Sequence, residues 1–140
     1  MEEIQGKTRA ILRDFFAEKD RKFLAAQGAR ALLYEVCTTP KPGLVDRHNN
    51  GSHKDMDVFT FLDSTAALLP YLERAAAIGQ ETAHMTPEET FERLREAGLE
   101  AERTMLRATG GVNTHKGAIF SLGCVLGACG RLWTTRRRSS

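Results

Sequence analysis

TPEETFERLREAGLEAERTMLRATGG, Thr86 to Gly111, is a helix with its start and its stop written into it. Thr86 supplies an N-cap hydroxyl, Pro87 fits the first helical position, and Glu89 stands three residues on, where a capping box requires it. Phe91, Leu94, Gly98, Ala101, Met105 and Ala108 then recur at steps of three and four, one face of a helix with 3.6 residues per turn. Gly110-Gly111 should end it.

The same period governs the segments on either side. Ile4, Ile11, Leu12, Phe15 and Phe16 share a face from about Glu2 to Ala17, and Phe23, Leu24, Ala31, Leu32 and Val36 share another from Lys22 to Val36. That second helix should stop before Thr39-Pro40, because a residue preceding proline is disfavoured in the α region. Pro40 and Pro42 hold the chain extended and Gly43 lets it turn. From Asp55 or Met56 to about Ile78 the stripe is Val58, Phe61, Leu62, Leu69 and Leu72, with Pro70 as a kink. A last helix should begin between Asn113 and His115 and run through Leu132, with Gly117, Gly123 and Gly127 allowing close approach of its neighbours. No run alternates with period two between turn signals, so strands are not expected. The reading is an all-α fold of about five helices, orthogonal or bundle-like, over residues 1–132, followed by a tail at 133–140 without helical periodicity.

The chain has 140 residues with 41% hydrophobic composition, enough for one core. Its net charge of +2 depends on Arg136, Arg137 and Arg138; without that run acids and bases nearly balance. A nucleic-acid surface, which needs many clustered cations, is therefore not expected. Cys37, Cys124 and Cys129 form no CxxC pair and read as reduced, buried thiols of a cytoplasmic protein. Glu2 and Glu3 follow Met1 where a signal peptide would be basic, and the uncharged run from Gly117 to Gly130 falls short of the ~20 residues that span a bilayer.

Two stretches carry chemistry. Thr39 to Asp46, running on to His53-Lys54-Asp55-Met56-Asp57, and Gly110 to Gly117 both set glycines beside lysine, histidine and carboxyl or amide groups, next to helix ends. Backbone amides at a helix start and a lysine attract phosphate, and carboxylates can hold the accompanying cation. Each feature also has a plainer reading. Asn113 or Thr114 can simply cap a helix, and Asp55 and Asp57 can sit near a helix start for electrostatic reasons alone. Capping does not require His115 and Lys116. Glu35 and Glu102 are carboxylates on largely apolar helical stretches: either solvent-facing or, if turned toward the loops, a general base or magnesium ligand. His48 and His53 lack the spacing of a zinc face. The common nucleotide motifs GxxxxGK[ST] and GxGxxG are absent.

EVCTTPKPGLVDRHNNGSHKDMD (Glu35 to Asp57) and EAERTMLRATGGVNTHKGAIFSLG (Glu100 to Gly123) together closely resemble the triphosphoribosyl-dephospho-CoA synthase family. The resemblance covers about Leu32 to Leu132, and it matches the N-terminal half of the family only. It implies an all-helical fold and a transferase that moves the 5-triphosphoribosyl group of ATP to the 2′-hydroxyl of 3′-dephospho-CoA, releasing adenine. The product would be the prosthetic-group precursor carried by an acyl carrier subunit of citrate lyase or malonate decarboxylase.

Carried onto this sequence, the resemblance implies an anion cradle of Lys41, Lys54 and Lys116 with Gly110, Gly111, Asn113, Thr114 and Gly117. Asp55 and Asp57, with Glu102 or Glu35, would bind Mg2+ or serve as base, and His115 would donate to a phosphate oxygen or to departing adenine. The Gly-Asp-Thr-Asn and Arg-Gly-Gly stretches expected later in the family do not occur here, so the expectation is a truncated chain with weak or no activity and an exposed apolar helix face prone to self-association. The alternative is a non-catalytic helical module that binds a nucleotide or CoA, or another subunit.

Overall fold

The helix signals are realised in a computed structural model that describes residues 1–38, 44–45, 51 and 56–139. Among these residues there are four helices and no strand: α1 Glu2–Cys37, α2 Val58–Glu81, α3 Pro87–Ala108 and α4 Lys116–Ser139. Four replace the expected five because the two N-terminal segments fuse into one 36-residue helix. The residues between them, Glu18 to Arg21, contain no glycine or proline to stop propagation, and Glu18 accepts a 2.8 Å hydrogen bond from Lys22 one turn on.

Both observed N-caps on α2 and α3 are capping boxes. Thr86 Oγ1 accepts from the Glu89 amide at 3.2 Å while the Glu89 carboxylate accepts from the Thr86 amide at 2.9 Å. Asp57 does the same for α2: Oδ1 accepts from the Thr60 amide at 3.0 Å, and Thr60 Oγ1 accepts from the Asp57 amide at 3.2 Å. Pro70 lies inside α2.

α2 is central. It packs against α1, α3 and α4, while α1 and α3 do not touch each other. Leu68, Leu72, Ile78, Met105 and Ile119 are fully buried, joined by Leu24, Leu32, Leu94 and Leu126. The α2–α4 seam is close because both helices present glycine. A Cβ at Gly79 would fall on the Gly127 carbonyl, and one at Gly130 on the Ala76 carbonyl. Gly123 and Gly127 lie against Tyr71 and Leu94, the close approach expected of them, whereas among the described residues nothing lies within 4 Å of a Cβ placed at Gly117. Tyr71 donates to the Ile119 carbonyl at 2.8 Å, and its burial raises the phenol pKa to about 12.

α4 continues through Ser139, seven residues past the expected end at Leu132. Tertiary contacts explain the extension: Trp133 lies 6.0 Å from Phe23, centroid to centroid, and Arg137 donates twice to Asp20 at 2.7 Å. At 24 residues, α4 is long and apolar enough by length and composition to cross a membrane, although here it packs on the other three helices. The thiols also differ from expectation, since Cys37 and Cys124 are exposed and Cys129 is half-buried. Cys124 lies off the glycine stripe that faces α2. The first half of α1 leaves Ile4, Ile11, Leu12, Phe15 and Phe16 exposed.

Candidate active site

α3 ends in a glycine turn. Gly110 and Gly111 have φ of +66° and +93°, the left-handed region open to glycine, and the Gly111 amide donates back to the Leu106 carbonyl at 2.7 Å. The turn delivers Asn113 to Lys116 to the head of α4. Asn113 Oδ1 accepts from the Lys116 amide at 3.2 Å, so Asn113 does cap the helix, and the Ile119 amide closes the first turn on the His115 carbonyl at 2.8 Å.

His115 points inward and is 5% exposed. Its amide donates to Met105 Sδ at 3.1 Å, the Phe61 ring meets the imidazole edge-on at 5.0 Å, and Nδ1 lies 2.7 Å from Ser64 Oγ. Thr114 Oγ1 donates to the same Ser64 oxygen at 2.7 Å. His115 Nε2 is buried and has no hydrogen-bond partner among the described residues. Burial lowers the imidazole pKa below 6.5, and the negative charge of Glu35 opposes that shift. The imidazole is neutral near pH 7.

The last residue, Lys116, turns outward. Its Nζ lies 3.5 Å from Glu102 Oε1, a pair in which the lysine is half exposed and Glu102 mostly covered. The head of α4 is thereby joined to α3, and Glu35 at the end of α1 acts electrostatically on His115. Of the second chemically rich stretch, Lys116 meets Glu102 of α3 and His115 feels the charge of Glu35 at the end of α1. Gly117, in the first turn of α4, has no described residue within 4 Å of a Cβ placed on it. The amides of Gly111, His115 and Lys116 are already engaged within the fold. Lys41, Lys54 and Asp55 lie outside the described residues. Val45, between them in sequence, is buried at 4% exposure.

Asp57 serves as the α2 cap, and its bonds to Thr60 lower its pKa. Among the described residues no three His, Cys, Asp or Glu side chains converge on a metal position. Grooves of about 430 and 510 Å³ lie elsewhere, one beside Phe91 and Leu132 and one between Phe16 and Arg137.

The pattern of the ATP:dephospho-CoA triphosphoribosyl transferase family, CitG, matches residues 21–140, which include every site residue above. The chain belongs to this family. Among its relatives, the 2-(5″-triphosphoribosyl)-3′-dephosphocoenzyme-A synthase of Klebsiella pneumoniae is 52% identical over 103 residues, covering 74% of this chain and 34% of that protein. The probable synthase of Streptococcus equi subsp. zooepidemicus is 54% identical over 101 residues, 72% of this chain and 34% of its own. Protein CitXG of Leuconostoc mesenteroides subsp. cremoris is 56% identical over 97 residues, 69% of this chain and 21% of that protein. The segment matched to the two synthases thus spans about a third of their length. No solved structure matches the chain.

Ser64 of this transferase-family chain is fully buried and is not among the residues that the sequence singles out. A signal was present: Phe61, Ser64, Leu68 and Leu72 fall on one helical stripe, and a hydroxyl among apolar core positions needs a polar partner.

Proposed function

We propose that the end of α1, the end of α3 and the head of α4 form one wall of a site for transfer of the 5-triphosphoribosyl group of ATP to the 2′-hydroxyl of 3′-dephospho-CoA. In that reaction the bond between the ribose anomeric carbon and adenine breaks. The dephospho-CoA oxygen bonds to that carbon and its proton passes to a base. The transition state has oxocarbenium character, as in glycosyl transfer, so carboxylates near the sugar are useful. The observation that carries the reading is a buried imidazole whose Nε2 has no partner among the described residues, next in the chain to the Lys116–Glu102 ion pair and within electrostatic reach of Glu35, inside the segment shared with the transferase family.

Lys116 supplies charge to the triphosphate, with Lys41 and Lys54 as further cations, while Gly110, Gly117 and Thr114 line the approach. Glu102 and Glu35 are the base candidates. Asp55 and Asp57 remain candidates to meet the magnesium that ATP brings. The product class is a precursor for the acyl carrier subunit of citrate lyase or malonate decarboxylase, made in the cytoplasm. Exposed apolar residues on α1, with Val125 and Leu132 on α4, favour self-association.

A second reading is a binding module without catalysis. Incubating the chain with ATP, magnesium and dephospho-CoA, followed by chromatography for adenine, separates the readings. The expected result is nucleotide binding with little or no adenine released by this chain, and release by the full-length Klebsiella pneumoniae relative under the same conditions. Robust turnover by this chain would overturn the binding-module reading. No release by the relative would overturn the reaction.

A further inference from the structure

Ser64 has no role in the site as assigned so far, yet it is completely buried and sits between two polar side chains of the Asn113–Lys116 segment. Its proton must find an acceptor, since a buried hydroxyl proton left unbonded is costly. Among the described residues two groups are in reach. Thr114 Oγ1, at 2.7 Å, is itself the donor to Ser64 Oγ, so it does not take the serine proton. His115 Nδ1, also at 2.7 Å, is then the acceptor. An imidazole whose Nδ1 accepts carries its proton on Nε2. That nitrogen is the buried one with no partner among the described residues.

We propose that Ser64 is a positioning residue: with Thr114 it holds His115 in the Nε2–H tautomer, so that the ring offers a donor to a purine ring nitrogen of the substrate. This rests on the function proposed above. The surroundings select a neutral, flat acceptor over a phosphate. Phe61 lies edge-on to the imidazole and Met105 lies beneath its backbone, while the cation Lys116 points away to Glu102. An anion would find its counter-charge at Lys116 and not at a neutral ring among apolar side chains. A departing adenine also gains when a fixed donor meets the charge growing on its ring, because that bond strengthens in the transition state.

The test is imidazole nitrogen NMR on the chain labelled with 15N at histidine, with His115 assigned by loss of its signals in His115→Gln. In the unmodified protein near neutral pH, Nε2 should show the shift of a protonated nitrogen and Nδ1 that of an unprotonated one. Ser64→Ala should lose this separation, leaving the averaged shifts of a tautomer mixture. Added adenosine or ATP should move Nε2 in the unmodified chain, while inorganic tripolyphosphate should leave it in place. A proton found on Nδ1 before any substitution overturns the proposal, as does a tautomer unaffected by Ser64→Ala. Tripolyphosphate moving Nε2 as ATP does overturns the purine assignment. If no nucleotide perturbs any resonance while both tautomer results hold, the functional reading fails and the purine assignment with it, but the positioning of His115 by Ser64 stands.

Discussion

His115 is held neutral by its surroundings, and that has a measurable consequence for stability. Burial lowers its pKa in the folded chain below the 6.5 of an ordinary histidine. The unfolded chain then binds the proton more readily, so stability falls as pH drops below about 6.5 and gains nothing from this group above it. The denaturant midpoint should therefore decline between about pH 7 and pH 5, and His115→Gln should flatten part of that slope. An unchanged slope in the variant would show that His115 is not the buried neutral group. Ser64 was hidden in the sequence for a related reason. A serine is unremarkable until the fold sets it against a histidine 51 positions away.

At the scale of elements, the α2–α4 seam depends on absent side chains. Gly130→Ala would drive a methyl group into the Ala76 carbonyl, backbone against backbone, and should cost about 3 kcal/mol or prevent folding. Gly6→Ala, on the exposed part of α1 with nothing near it, should instead stabilise by about 0.5–1 kcal/mol. Equal effects in thermal melts would contradict the close seam. Arg137→Ala leaves Asp20, 7% exposed, without its bidentate partner and should cost about 1–2 kcal/mol. The helices themselves were legible in periodicity and caps, and the Thr86 capping box formed as read. What was not legible depended on distant contacts: the fusion of the two N-terminal segments, and the run of α4 to Ser139, docked on α1 through Trp133 and Arg137. The site divided the same way. Glu102, His115 and Lys116 stood out by residue type, while the Lys116–Glu102 pairing and the inward turn of His115 needed the fold.

Across the whole molecule, 36 residues of α1 at 1.5 Å each outrun the 24-residue helices beside it, and the overhanging half keeps Ile11 and Phe15 in solvent. Sedimentation should show mass rising with concentration, and Ile11→Ser with Phe15→Ser should suppress the rise; a strictly monomeric parent chain would contradict self-association through this face. The central claim, that the head of α4 handles ATP, is tested most directly by calorimetric titration of magnesium-ATP into the chain and its Lys116→Ala variant. Because Lys116 is half exposed and its pair with Glu102 is worth under about 1 kcal/mol, the variant should fold normally. The account predicts ATP binding weakened about five- to 150-fold, equivalent to about 1–3 kcal/mol. Equal affinity of the two proteins for ATP would contradict it.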